Sequence, residues 1–556
     1  MFKKKVKLYD AKDPNLFLGY NASFDNSRLE ENRNDSYRLL SQLIATYSKS
    51  FNDHQFNFMV GYEGYKTFNE NLFAGRGQYD LEYPYLDIGP LSQISNSGNA
   101  YQTAYQSFLG RIMYNFKNRY LLQANVRRDG SSRFHKDHRW GTFPSVSAGW
   151  VISEESFFPE NNILSVLKLR GSWGTLGNER IGSNYPYQAT ISFNNMLFID
   201  GDNVVPQQTA SQNKYAVSDI SWETTKSWNI GIDAYFFDNR LRFSADYFDK
   251  STEDMLLALE IPKYMGFSTN PDVNAGKMST RGFEIEVGWK DQIGKDWFYS
   301  LSANLSDFRS KMGDLGGTEF LGSKIKKQGS EFDEWYGYLS DGIFQTEEEV
   351  KNSPVLNKQV KAGDIKYLDI SGPDGVPDGV ISPEYDRTLL GGSLPRFLYG
   401  ANFYLGYKNV DFSLTIQGVG KQNSMMSTYM VQPLIDNKGN ITSVIENGYW
   451  SHNNTEEQNM NAKFPRLTYS GAKNNYATSD FWMFNGRYMR LKNITLGYTL
   501  QLPWMKDVIK VQKLRLYAAI NDLFSIDNYP KGWDPETSGG SQPITTSFIF
   551  GASVNF

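Results

Sequence analysis

Arg240-Leu-Arg-Phe-Ser-Ala-Asp-Tyr-Phe-Asp249 sets Leu241, Phe243, Ala245 and Tyr247 on one side of an extended chain, and Arg242, Ser244 and Asp246 on the other. Side chains of a strand point alternately to its two faces, so this period of two reads as a strand with one apolar and one polar face. The pattern recurs along the chain. Tyr120, Leu122, Ala124 and Val126 alternate with Gln123, Asn125 and Arg127, and Leu514, Leu516, Ala518 and Ile520 alternate with Arg515, Tyr517 and Asn521. Trp297 to Leu305 and Val410 to Ile416 repeat it, and helical periodicity is scarce. The fold class is all-β.

The polar faces are rich in Arg, Asn, Gln and Asp, and the apolar faces often open or close on an aromatic. The alternating runs extend over about 10–16 residues, against a usual ~5–6 in soluble sheets. A tilted strand needs about 9–11 residues to cross a bilayer. Short links at Phe51-Asn52-Asp53, Lys117-Asn118, Asp238-Asn239 and Tyr407-Lys408-Asn409 alternate with long polar stretches near 72–101, 177–221, 313–395, 425–480 and 525–544. Tight turns on one side and long loops on the other predict a transmembrane antiparallel β-barrel. The alternation counts roughly 17 strands, the first over residues 1–9, and an odd number does not close such a barrel. Further strands are therefore expected on the N-terminal side. The last run, Ser547 to Phe556, puts Phe548, Phe550, Ala552, Val554 and the terminal Phe556 on one face, and Phe556 reads as an assembly signal.

Composition agrees and excludes alternatives. Aromatic residues make up 15% of the chain, mean hydropathy is -0.52, and no run of about 18 apolar residues marks a membrane helix. Cysteine is absent, which removes disulfides, thiolate zinc sites and thiol nucleophiles. A net charge of -4 with scattered Lys and Arg argues against nucleic acid. His54, His135, His138 and His452 are too dispersed for a catalytic or metal site. Met1-Phe2-Lys3-Lys4-Lys5 is not followed by an apolar segment, so no export signal is read there and a fragment of a longer protein is expected.

Several segments closely resemble the SusC/RagA family of TonB-dependent outer-membrane transporters of Bacteroidetes, in order and spacing over essentially the whole chain. They are Phe108 to Leu122 with Arg127-Arg-Asp-Gly-Ser-Ser-Arg-Phe134, Phe143-Pro-Ser-Val-Ser-Ala-Gly-Trp150, Leu167-Lys-Leu-Arg-Gly-Ser-Trp-Gly-Thr-Leu-Gly-Asn178, Gly363-Asp-Ile-Lys-Tyr-Leu-Asp369 and Tyr488-Met-Arg-Leu-Lys-Asn-Ile-Thr-Leu-Gly-Tyr498. The resemblance implies a barrel of about 22 strands around an N-terminal plug. It also implies energy coupling to the TonB complex through the N-terminal part, insertion by the barrel assembly machinery and a SusD-like surface lipoprotein over the mouth. The substrates it implies are oligosaccharides, with peptides in some members. Plug, TonB-contacting segment and first strands have no counterpart in this sequence.

Among chemical motifs, the Asp369–Asp386 loop is the best constellation. Asp369, Ser371, Asp374, Asp378 and Asp386 suggest a structural calcium loop, although two prolines and extra residues break the regular ligand spacing. Arg127–Arg133 reads as a hairpin turn with an internal Arg–Asp pair. Arg127, Arg242, Arg515 and Asn521 are expected to line the lumen. Trp335, Tyr336, Trp450 and Trp533 suit sugar stacking or plain loop packing. Glu154-Glu155 and Glu347-Glu348-Glu349 form no pair facing a common site, so no enzyme is expected. The function expected is import of a nutrient across the bacterial outer membrane. A passive pore lacking the plug, and a soluble secreted glycan-binding β-protein, are the alternatives.

Overall fold

The computed structural model describes every residue except 1, 4–6, 10–14, 21–26, 78–84, 160–161, 183, 202, 213, 260, 268, 318, 434–440, 469–472, 509, 538 and 540. One sixteen-stranded sheet forms the frame, its strands adjacent in chain order. They are β1 (Phe2–Lys3), β2 (Arg28–Phe51), β3 (His54–Gly77), β4 (Ile94–Phe116), β5 (Tyr120–Ser131), β6 (Trp140–Val151), β7 (Leu164–Asn178) and β8 (Glu223–Phe236). Then come β9 (Leu241–Ala258), β10 (Asp272–Ile293), β11 (Trp297–Met312), β12 (Arg396–Tyr407), β13 (Val410–Lys421), β14 (Tyr488–Leu500), β15 (Lys513–Asp527) and β16 (Ser547–Asn555). Each neighbouring pair is antiparallel. The strand expected over residues 1–9 contributes only β1 to this wall, because Lys7–Tyr9 pairs with Phe17–Tyr20 in a separate hairpin.

Burial in the wall is inverted relative to a soluble sheet. Val60, Leu122, Val146, Ile230 and Leu496 are all about half exposed or more, while the polar residues between them face the concave side. Leaving an apolar face bare is tolerable only where lipid covers it. Trp140 and Trp150 stand on that face at the two ends of β6. Ten residues at ~3.3 Å each, tilted by ~40°, span about 25 Å, the height of a membrane barrel's apolar band. Trp173 lies opposite Trp228 and Val146 in the middle of the band, and Arg128 covers the Trp140 ring at 5.6 Å, its charge at the headgroup level. Trp297 and Tyr407 stack at 4.2 Å on the inner rim.

Tight turns close the inner side. Asn52, Asn118, Asp238, Asn239 and Lys408 have φ between 48° and 66°, the left-handed region that two-residue hairpins need and that Asn and Asp tolerate best. The outer connections depart from the expected loops. The described residues of 72–101 are mostly strand, since β3 runs to Gly77 and β4 begins at Ile94, with Arg76 paired to Ile94. Beyond the lipid nothing demands an apolar face, so Asn, Gly and Ser continue the ladder without alternation. The 177–221 stretch carries a hairpin, Ile191–Asp200 against Asn203–Gln212. Between Gly313 and Pro395 a four-stranded sheet forms from Phe320–Leu321, Lys324–Lys326, Glu334–Tyr338 and Arg387–Gly392.

The buried apolar clusters lie mainly in these outer connections. One gathers Phe134, Phe143, Ile181, Val217, Ile220 and Trp222. Its Phe143 ring lies flat on Gly177, where an added Cβ would stand 2.0 Å from the ring. Gly177→Val is therefore expected to expel Phe143 and cost about 1–3 kcal/mol. Increased protease cleavage between Arg133 and Trp222, with the barrel still resisting detergent, would show this; unchanged cleavage would refute it.

Candidate transport lumen and its outer cap

The concave face of the wall is polar by alternation, and its charges are largely matched in place. Arg170 on β7 reaches across to Asp246 on β9 at 2.6 Å and to Asp233 on β8 at 3.1 Å, with the Ser244 hydroxyl accepting from it and donating to Asp233. Arg127 donates to Asp129 at 2.7 Å, Ser107 at 2.9 Å and Glu63 at 3.2 Å. Arg515 pairs with Asp411 at 2.8 Å. Arg242 stacks over Tyr235, and Asn521 accepts from Asn493 at 2.8 Å. The four lumen residues named from sequence thus sit in cross-strand contacts. The expected Arg127–Asp129 pair is present, but within β5; the turn follows, at Ser132–Arg139.

Between these pairs the wall offers neutral hydrogen-bonding groups. Ser48, Gln55, Asn57, Asn115, Gln123 and Asn229 line a concavity of about 600 Å³ beside Arg170. A smaller one of about 260 Å³ is acidic, lined by Asp246, Glu284 and Glu286 with Asn304.

At the outer mouth, the Asn528–Thr546 segment folds back onto β14. Arg490, 4% exposed, donates to Asp534 at 2.6 Å, with Glu536 at 3.5 Å and Asp522 at 3.8 Å. Lys492 bonds Glu536 at 3.2 Å, and Gln417 of β13 donates to the same carboxylate at 2.9 Å. Burial alone would raise the Asp534 carboxyl. The Arg490 guanidinium and the amides of Glu536 and Ile544 outweigh it and hold the group below the usual carboxylate range. Phe484, Tyr529 and Trp533 pack edge to face beside this latch, with centroids 4.9–5.7 Å apart.

The connections 313–395 and 425–480 share one core: Tyr338, Ile365, Tyr367, Ile381, Val431, Ile445 and Trp482. The Gly363–Asp369 motif is its spine. Gly363 has φ +88° with the Trp450 ring against it, so no side chain fits there. Asp364, 2% exposed, binds Arg466 at 2.7 and 2.9 Å, Asn475 at 2.8 Å and the Lys361 amide at 2.9 Å. Tyr367 donates its hydroxyl to the Asn474 carbonyl at 2.7 Å, and burial pushes that phenol well up.

In the Asp-rich loop most of the acidic side chains are engaged by backbone amides. Asp386, fully buried, spends its carboxylate on the amides of Ile370, Ser371 and Ser382. Asp369 accepts from the Gly379 amide at 2.6 Å, Asp378 from Val380 at 2.9 Å, and Asp374 stands exposed. Among the described residues no three acidic or histidine side chains gather around a metal position. The four aromatics weighed for sugar stacking are engaged within the loops. Trp335 donates to the Asn423 carbonyl under Lys324, Tyr336 lies under Arg387, Trp450 is buried, and Trp533 donates to the Thr537 carbonyl.

The family model described as TonB dependent receptor-like, beta-barrel matches residues 5–523. TonB-dependent receptor SusC of Bacteroides thetaiotaomicron is 29% identical over 536 residues, covering 94% of this chain and 50% of that protein. TonB-dependent receptor P3 of Formosa agariphila is 29% identical over 549 residues, covering 93% and 52%. The chain spans about half the length of these relatives. The RagAB peptide transporter structure superposes with a TM-score of 0.79 at 23% identity, over 97% of this chain and 57% of that one. An outer-membrane wall replaces the soluble-protein alternative, and the chain belongs to the TonB-dependent receptor-like β-barrel family, as a barrel of the SusC/RagA type.

Proposed function

We propose that this protein forms the wall of a TonB-dependent importer that passes a neutral oligosaccharide across the outer membrane, with a SusD-like lipoprotein seated on its outer cap. The observation that carries the substrate class is the concavity beside Arg170, where Ser, Asn and Gln groups outnumber the charged Lys168 and Arg170, and Arg170 is matched by Asp233 and Asp246. Hydroxyl and amide groups match the hydrogen bonding of sugars without the desolvation cost of an unpaired charge. A preformed cap with its own core offers a lipoprotein a rigid surface. Phe556, exposed after β16, is assigned to recognition by the assembly machinery. Gene deletion in the source organism should abolish growth on particular glycans, and disrupting TonB should abolish it equally. Glycan uptake that survives loss of TonB would instead support a passive pore. Loss of growth on peptides alone would overturn the sugar assignment in favour of the cargo for which RagAB is named.

A further inference from the structure

Among the inner-side connections, most are tight turns, but the one between β14 and β15, Gln501-Leu-Pro-Trp-Met-Lys-Asp-Val-Ile-Lys-Val-Gln512, is long and holds the short helix Pro503–Val508. Met505 (3% exposed) and Val511 (7%) are its buried residues, and the Val511 amide bonds the Met505 carbonyl at 3.0 Å. The Gln512 amide ties the turn to the Asn555 carbonyl at the end of β16. Held in this way, the helix leaves Trp504 (55%) and Val508 (73%) bare, one turn apart on one face, with Leu502 exposed beside them. Lys506, Lys510 and Lys513 are also exposed, and Asp507 is the one acidic residue of the stretch. The bare patch continues the lipid-facing row of β14, where Leu496 and Tyr498 are exposed and pair with Ala518 and Leu516 of β15.

We propose that this turn is an interfacial anchor: Leu502, Trp504 and Val508 enter the acyl boundary of the inner leaflet, and the three lysines engage anionic phospholipid headgroups. Three features converge on a lipid occupant. The patch is continuous with the membrane band, tryptophan prefers the headgroup depth, and lysines beside an apolar patch reach out to anionic phosphates. A helix with this division of faces lies in the interface plane with its apolar side a few ångströms below the phosphates. The second long inner turn, 152–163, exposes Phe157 and Ile163 at the same rim. The anchor fixes the depth of the barrel and does not depend on what the lumen carries.

Because the chain has no cysteine, single labels report without background. The protein purified from outer membranes would carry a nitroxide at Val508→Cys and be placed in nanodiscs of phosphatidylethanolamine and phosphatidylglycerol. Lys295→Cys in a tight inner turn serves as the aqueous reference and Val60→Cys as the lipid reference. The Val508 label should be more accessible to oxygen than to a nickel chelate, between the two references. Accessibility equal to that at Lys295 would overturn the anchor and leave the face to a periplasmic protein. Replacing neutral phosphatidylcholine by phosphatidylglycerol should raise the temperature of barrel unfolding by several degrees. That rise should vanish in Lys506→Gln/Lys510→Gln/Lys513→Gln; no rise in the unsubstituted protein, or one that persists in the variant, would overturn the headgroup assignment.

Discussion

Asp364→Ala is expected to open the outer cap while the membrane wall stays folded. The carboxylate is buried and accepts from the Arg466 guanidinium, the Asn475 amide and the Lys361 backbone amide. Alanine leaves all three donors without their shared acceptor. Removing one partner of a buried ion pair costs about 3–5 kcal/mol, which raises the open population of the cap about a hundredfold or more. The loss is local because the cap has its own core, centred on Ile365, Tyr367 and Trp482. Limited proteolysis should give new cuts between residues 345 and 480, and the remaining barrel should still unfold only on heating in detergent. Asp364→Asn keeps one acceptor oxygen and should fall between. An unchanged cleavage pattern in Asp364→Ala would show that the cap is held by its apolar core alone.

Alternation such as Leu241-Arg-Phe-Ser-Ala-Asp-Tyr is a local signal, because each side chain declares its face relative to the next one, and the structure assigns those faces as expected. The wall was legible for that reason, as were its tight turns at Asn52 and Lys408. The cap was not. Asp364 and Arg466 stand 102 residues apart, and Trp335 meets Asn423 across 88, so nothing near either residue announces its partner. The motif at Gly363–Asp369 was visible as a family feature without its cause, which is a spine of buried hydrogen bonds. β3 and β4 extend past their alternating stretches because alternation reports lipid, and these strands outrun the membrane. In the lumen, Arg127 and Arg515 were rightly placed on the polar face, whereas the carboxylates that match them lie on other strands or alternate positions. The Asp369–Asp386 loop shows a different limit: a turn closed by backbone amides uses the same acidic residues as one closed by a cation.

Asp534→Asn is expected to free the Asn528–Thr546 segment from the wall at neutral pH, and the sign of the pH effect follows from the latch itself. The Asp534 carboxyl is held below its ordinary range, so its ionised form stabilises the folded segment. That contribution is fully present above the unfolded carboxylate value near 4 and is lost only as pH falls through the depressed folded value. The natural latch should therefore hold throughout the neutral range and release in acid. Asparagine removes the charge and leaves Arg490, itself buried, with Glu536 and Asp522 at 3.5 and 3.8 Å, distances too long to replace the 2.6 Å bond. A loss of about 3–5 kcal/mol is the scale for breaking a buried pair. A spin label at exposed Lys531→Cys should be immobile at pH 7 and become mobile only below about pH 4. With Asp534→Asn added it should be mobile at every pH. Equal immobility of the two at pH 7 would mean that the Phe484, Tyr529 and Trp533 packing, with Glu536 held by Lys492 and Gln417, keeps the segment in place without Asp534. The distinction is one of pH response, because an ionic latch beside three aromatic rings releases when its charge pair is broken, whereas aromatic packing alone would hold the segment equally at every pH.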